Sequence, residues 1–321
     1  VSSVVDLIEA TVRVEQPLGN GQTTVGTGFI VTSAAADGTP RTILITADHV
    51  FARMPQEQAI IGFRTRDQAG HWRYAPLKVR IRDSDGDRLW TKHPTQDVAV
   101  VELPAALAPS ALPASELPGE RALETLGVLP GDEMMVLGYP RGLSANPQGF
   151  PILSAGKVAS YPLSPADRYP TYLVNMNVHA GNSGGPVYLV LPRVSAQGPA
   201  PQVVVTGLLT QQIKYNGDRL AIGNVTQPDF ISETISLMDS TSAVEVAPAQ
   251  APAPDGHAEP VSQPPRGAQN GVGKWWSALA EDIRIFFLRL WILARDTANN
   301  WMTPDPKRAV APPARPTATI G

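Results

Sequence analysis

The chain has 321 residues, 26 Lys+Arg against 29 Asp+Glu, a formal net charge of −3 and no cysteine. That length suffices for one large core or two small ones with extensions. The slight negative balance argues against a nucleic-acid partner, and the lack of cysteine excludes a disulfide framework and thiolate metal sites while leaving the compartment open.

The chain begins at Val1. Removal of a signal peptide, trimming of methionine and truncation all fit that start, so export is not legible here. From Val4 to Glu102 short apolar-alternating runs are broken by Gly, Asp and Pro, which reads as all-β. Thr11 to Glu15 alternates cleanly, and the turn Gly19-Asn20-Gly21 follows it. Val25 to Val31 and Arg41 to Thr46 read as a hairpin around Asp37-Gly38. Gly26 and Gly28 mark its first strand as bent and crowded. The apolar run Ile43-Leu44-Ile45 reads as a buried strand that ends at Thr46-Ala47-Asp48-His49-Val50, with a helical turn to Arg53.

Arg73 to Arg82 and Asp97 to Leu103 complete a first β-barrel over about 1–103. Between them, Asp83-Ser84-Asp85-Gly86-Asp87 alternates carboxylates like a calcium loop. Its glycine stands fourth instead of sixth, and Pro94 occupies the place of the bidentate glutamate, so it reads as a charged turn. The Pro/Ala-rich segment 104–120 crosses to a second barrel over about 121–240. Its strands are expected over Glu133 to Tyr139, Ile152 to Ala159, Thr171 to Met176, Val187 to Leu191, Val203 to Leu209 and Arg219 to Gly223. Phe230 to Leu237 has helical spacing and should pack back on the domain.

Residues 241–273 are rich in Ala, Pro, Gln and Gly and should form a disordered linker. Residues 274–302 then read as an amphipathic helix, with Trp275, Trp276, Leu279, Ile283, Phe286, Phe287, Leu290, Trp291 and Leu293 on one side. Its internal charges argue against a bilayer span. Such a helix suits either a membrane surface or docking on the protein itself or on another copy of the chain. Residues 303–321 should be a disordered tail.

The stretch that organises the rest is Gly181-Asn182-Ser183-Gly184-Gly185-Pro186. Three glycines and a proline around one serine describe a tight bend that no regular helix or strand tolerates. Such a turn lifts the Ser183 hydroxyl clear and leaves the Gly181 and Ser183 amides free to aim at one point, as an oxyanion hole requires. The plain alternative is a Gly-rich loop between strands. A serine needs a base, and the base needs an acid to hold its tautomer. The candidates lie upstream, in the order His49, Asp97, Ser183.

On these three motifs the chain resembles the trypsin-like (chymotrypsin-fold) serine proteases over about residues 4–240. It is closer to the bacterial HtrA-type and glutamyl-endopeptidase-type branches than to the digestive enzymes. The resemblance implies an all-β fold of two antiparallel six-stranded barrels with the cleft between them. It implies a serine endopeptidase in which Ser183 attacks, His49 is the base, Asp97 orients it, and the Gly181 and Ser183 amides hold the oxyanion. It implies a polypeptide substrate, no cofactor, and an extracytoplasmic (periplasmic or secreted) place, with the cytoplasm left open.

By the same resemblance Asn177 lies at the base of the pocket, and Thr210, Gln211 and Gln212 pair with the substrate backbone. His179 favours an acidic residue, against the reading of a plain loop histidine. Asn182 stands where the digestive enzymes carry an aspartate that pairs with a freed amino terminus, so no zymogen switch of that kind is expected. No PDZ-like pattern follows the barrels. His71, His93 and His257 lack metal-ligand spacing. The rival readings are a catalytically silent binding module on the same scaffold and a membrane or assembly adaptor.

Overall fold

The computed structural model describes residues 2–244 except 20, 36, 105–109 and 196–197. The expected amphipathic helix over 274–302 and tail over 303–321 lie outside the described residues, as does the linker from 245 onward.

The first element is a helix, α1 (Val4–Ala10), where alternation had suggested strand. Its start is set by a reciprocal cap. The Asp6 amide donates to Ser3 Oγ at 3.2 Å, and the Ser3 amide donates to the Asp6 carboxylate at 2.7 Å. After it come β1 (Thr11–Pro17), β2 (Thr23–Ala34), β3 (Pro40–Thr46), the short helix α2 (Asp48–Ala52), β4 (Gln58–Arg66), β5 (Trp72–Arg80), β6 (Thr91–Lys92), β7 (Ala99–Leu103) and β8 (Leu112–Pro113). They form one sheet in the order β5-β4-β1-β2-β3-β7-β6, with β8 parallel to β2. Strand β4 has too little alternation to be read from sequence. It is held by its neighbours, pairing with β5 along its whole length.

The second half holds α3 (Ala122–Thr125), β9 (Glu133–Gly138), β10 (Ile152–Val158), β11 (Thr171–Asn175), β12 (Gly185–Ser195), β13 (Gly198–Tyr215) and β14 (Asp218–Thr226). These strands close into a six-stranded barrel, β10-β11-β14-β13-β12-β9. The described part is thus mostly strand, as a double-barrel chymotrypsin-like architecture requires, with the sixfold count exact in the second half and eight strands in the first. The final helix, α4 (Asp229–Val244), runs past residue 240, so the expected start of the linker at 241 falls inside it. The charged turn at Asp83 is built as expected, its side chain accepting the Asp85 and Asp87 amides at 3.0 and 2.8 Å.

Ile43, Leu44 and Ile45 are fully buried because β3 lies between β2 and β7. One apolar cluster joins them to Leu137, Tyr188 and Leu208 of the second barrel and to Phe230, Ile231 and Ile235 of α4. At about 1.5–3 kcal/mol per buried large side chain, this shared core holds the two halves in one fixed relation.

A buried cation adds direction. Arg64 of β4 has no carboxylate partner among the described residues. It donates instead to the carbonyls of Glu9 at 2.7 Å, Thr11 at 2.6 Å and Gly149 at 2.8 Å, and to Tyr139 Oη at 3.0 Å. Tyr139 follows β9 and begins the segment that grips the glycine turn.

Candidate active site

His49 sits in the first turn of α2, directly after the buried β3 strand. The Asp97 carboxylate meets it twice, with Oδ1 accepting the His49 amide at 3.0 Å and Oδ2 lying 2.6 Å from Nδ1. An Nδ1–H donated to Asp97 leaves Nε2 with a free lone pair, the form of imidazole that can take a proton. Burial works against the Asp97 charge. The hydrogen bond from the His49 ring, the ring's charge, the His49 amide and the Arg53 guanidinium outweigh it and hold the carboxyl below its usual range. Asp48, the other nearby carboxylate, is turned away: it accepts Trp90 Nε1 at 2.7 Å and faces Lys92 Nζ at 3.8 Å.

The glycine turn is locked from several sides. Gly181 has φ +98° and Gly184 φ +86°, both in the left-handed region that favours glycine. A Cβ on Gly181 would overlap the Tyr139 carbonyl, and one on Gly184 would overlap the Thr27 carbonyl and Thr46 Oγ1. The amides of this turn divide cleanly. Asn182 N donates to His179 O at 3.0 Å, Gly184 N to Leu209 O at 2.7 Å and Gly185 N to Asn182 O at 3.0 Å. Among the described residues, no hydrogen bond consumes the amides of Gly181 and Ser183. The Ala180 carbonyl accepts Arg141 N at 2.6 Å. Because carbonyl and N–H point opposite ways across a trans peptide, this turns the Gly181 N–H away from Arg141.

The Ser183 hydroxyl donates to the Thr210 carbonyl at 3.0 Å. It is not hydrogen-bonded to His49. His49, Asp97 and Ser183 nonetheless line one cavity of about 710 Å³, together with His179, Thr210, Gln211 and Gln212. The cavity thus gathers a hydroxyl and an imidazole held by a carboxylate, and the turn that carries Ser183 has two amides without a hydrogen-bond partner among the described residues.

Residues 26–194 match the trypsin-like peptidase domain. This chain belongs to the trypsin-like peptidase family. Among solved structures, this peptidase is similar to an inactivated protease paralogue of the scabies mite, with TM-score 0.44 and 15% identity over 74% of this chain and 97% of that one. It is also similar to the HtrA-type protease AlgW with a decapeptide, with TM-score 0.41 and 17% identity over 76% of this chain and 66% of that one. No curated protein sequence matches it.

Of the residues expected at the site, His49, Asp97, Ser183, His179, Thr210, Gln211 and Gln212 line the cavity, whereas Gly181 and Asn177 do not. Asn177 is exposed and does not line the cavity, where its neighbour Val178 does. Burial alternates here, with Asn175 and Asn177 exposed and Met176 and Val178 buried, so a one-residue offset decides which side chain enters. His179 is half-buried on the lining, and its Nδ1 has no hydrogen-bond partner among the described residues. Sequence reading passed over Arg53, Lys214, Arg219 and Asn224, which also line the space. It also passed over Thr27, whose only signal was the crowded Gly26-Thr27-Gly28 strand.

Among the described residues, no group of three or more His, Asp or Glu could hold a metal ion. None of the described helices is long and apolar enough to cross a membrane.

Proposed function

We propose that this trypsin-like peptidase is a serine endopeptidase acting on polypeptides through Ser183, His49 and Asp97. The observation that carries this reading is the doubly bonded His49–Asp97 pair facing Ser183 across one cavity, beside two unspent amides. In the first half-reaction the Ser183 hydroxyl swings from the Thr210 carbonyl toward His49 Nε2 and gives up its proton there. Its oxygen bonds to the peptide carbonyl carbon, and the carbonyl oxygen takes the negative charge between the Gly181 and Ser183 amides. His49 then returns the proton to the leaving amine as the C–N bond breaks, and Asp97 stabilises the imidazolium in between. Water reverses these steps on the acyl-enzyme. The reaction uses side chains and backbone amides only.

Thr210, Gln211 and Gln212 stand on β13 beside the cavity, suited to pairing with an extended substrate backbone. The family membership favours an extracytoplasmic place of work. One observation favours a second reading, a site at rest or catalytically silent: the Ser183 hydroxyl is engaged by Thr210 O rather than by its base. Apo sites often show such slack, which substrate removes.

The two readings separate on a fluorophosphonate probe applied to the purified full chain, Ser183→Ala and His49→Ala. Labelling of the wild type alone supports the endopeptidase. Folded wild type that stays unlabelled, also in the presence of lipid vesicles, favours the silent scaffold.

A further inference from the structure

The segment between β6 and β7 is a six-residue loop, 93–98, whose fifth residue is Asp97, and its shape depends on one imidazole. His93 N donates to Val98 O at 2.9 Å, and Val98 N donates to Gln96 O at 2.9 Å. Pro94 has no N–H. The two remaining amides before Asp97 both converge on His93 Nδ1, Thr95 N at 3.2 Å and Gln96 N at 3.0 Å. A nitrogen that accepts two N–H groups carries no proton, so the ring proton belongs to Nε2. That nitrogen lies 3.0 Å from Glu233 Oε2 on α4. The His93 ring is 7% exposed and sits edge-on to Phe230 of α4, with centroids 5.2 Å apart. A buried imidazole is thus fixed in one tautomer by a helix, and it gathers the backbone next to the carboxylate that holds His49.

We propose that His93 is a positioning residue for catalysis, setting the place of Asp97 through its Nδ1 while Glu233 sets its tautomer. The role rests on the catalytic reading above. It does not touch substrate; it acts through the carboxylate, whose oxygens must meet the His49 amide and Nδ1 together. Displacing such a group by about an ångström costs on the order of 10²-fold in rate.

The two amide isosteres of histidine separate this role from packing. Asparagine places an acceptor near the Nδ1 position, whereas glutamine reaches toward Glu233 and leaves the Thr95 and Gln96 amides unpaired. The full chain, His93→Asn, His93→Gln, Glu233→Gln and Ser183→Ala are each treated with a fluorophosphonate probe over a concentration range, with thermal midpoints taken in parallel. The limiting labelling rate of His93→Asn is expected within about threefold of wild type, and that of His93→Gln roughly 10²-fold lower with half-saturation little changed. Nitrogen-15 histidine spectra of the wild type should show His93 protonated at Nε2 and bare at Nδ1.

Equal rates for folded His93→Asn and His93→Gln, or a proton on Nδ1, would overturn the proposal. Wild type that fails to label, or Ser183→Ala that still labels, would sink the catalytic reading and the positioning role with it. Failure of the isostere test alone leaves the catalytic reading standing.

Discussion

Thr27 Oγ1 donates to the carbonyl of Gly181 at 2.6 Å and accepts the Tyr139 amide at 3.1 Å. The same residue donates its own amide to Ser183 O at 2.8 Å, and its carbonyl accepts Thr46 Oγ1 at 2.6 Å. One fully buried residue of β2 therefore clamps both sides of the serine turn from the opposite half of the molecule. Thr27→Val keeps the shape and removes the hydroxyl, leaving a buried carbonyl and a buried amide unpaired. We expect a loss of about 1–3 kcal/mol in stability. We also expect probe labelling to slow by roughly tenfold or more as the Gly181 amide loses its aim. Thr27→Ser should restore most of both, read by thermal unfolding and labelling rate.

Gly184 tests how tightly that turn is seated. Its φ of +86° and the overlap of any Cβ with the Thr27 carbonyl and Thr46 Oγ1 leave no room for alanine. Gly184→Ala should cost on the order of 2–5 kcal/mol from strain and overpacking together. Gly19, with a similar φ of +78° but nothing within 4 Å of a Cβ, is the control. Gly19→Ala should cost about 1–2 kcal/mol. Denaturant midpoints that fail to separate the two would show that the turn can relax.

Asp97 links the site to acid stability. Its folded pKa lies below the ordinary value of 3.8, so its contribution is fully present above that value and is lost as pH falls through the folded one. The side chain is 36% exposed, so solvent screens part of the effect. Asp97→Asn should flatten the acid limb of a stability-against-pH curve. At neutral pH it should slow turnover by about 10⁴-fold, because the amide admits the wrong imidazole tautomer. An unchanged acid limb would count against the pairing.

Two buried tyrosines should respond in opposite directions to loss of the hydroxyl. Tyr139 Oη donates to Gly149 O at 2.9 Å and accepts from Arg64, whereas Tyr188 Oη has no partner among the described residues. Tyr139→Phe should cost about 1–3 kcal/mol, and Tyr188→Phe should be neutral or stabilising by about 1 kcal/mol. Burial pushes both hydroxyls up to about 12, with nearby Arg64 working against the rise at Tyr139. The folded protein therefore holds these protons longer than the unfolded chain, whose value is near 10.0. Stability should fall as pH rises from there toward about 12, and each Phe variant should lose part of that slope.

Much of the site was legible because its signals are local. A glycine-packed serine, a histidine closing an apolar run and an aspartate opening another each show in a few neighbouring residues. The hairpin of β2 and β3 and the charged turn at Asp83 were readable for the same reason, since turn chemistry sits within the turn. Helix α1 was not, because its apolar residues fit either period and the Ser3–Asp6 cap made the choice.

By itself, then, the sequence determined a mostly β chain with three motifs, around His49, Asp97 and Ser183, in a family's order. Tertiary structure alone decided how those motifs are held. Thr27 meets Gly181 across 154 positions of chain, Arg64 meets Tyr139 across 75, and His93 meets Glu233 across 140. Nothing in the local pattern marks a threonine, an arginine or a histidine for such a bond. Each partner is selected only after the shared core has closed and left a buried polar group that has to be satisfied. Val178 rather than Asn177 lines the cavity, which the sequence pattern did not reveal because both follow the end of β11.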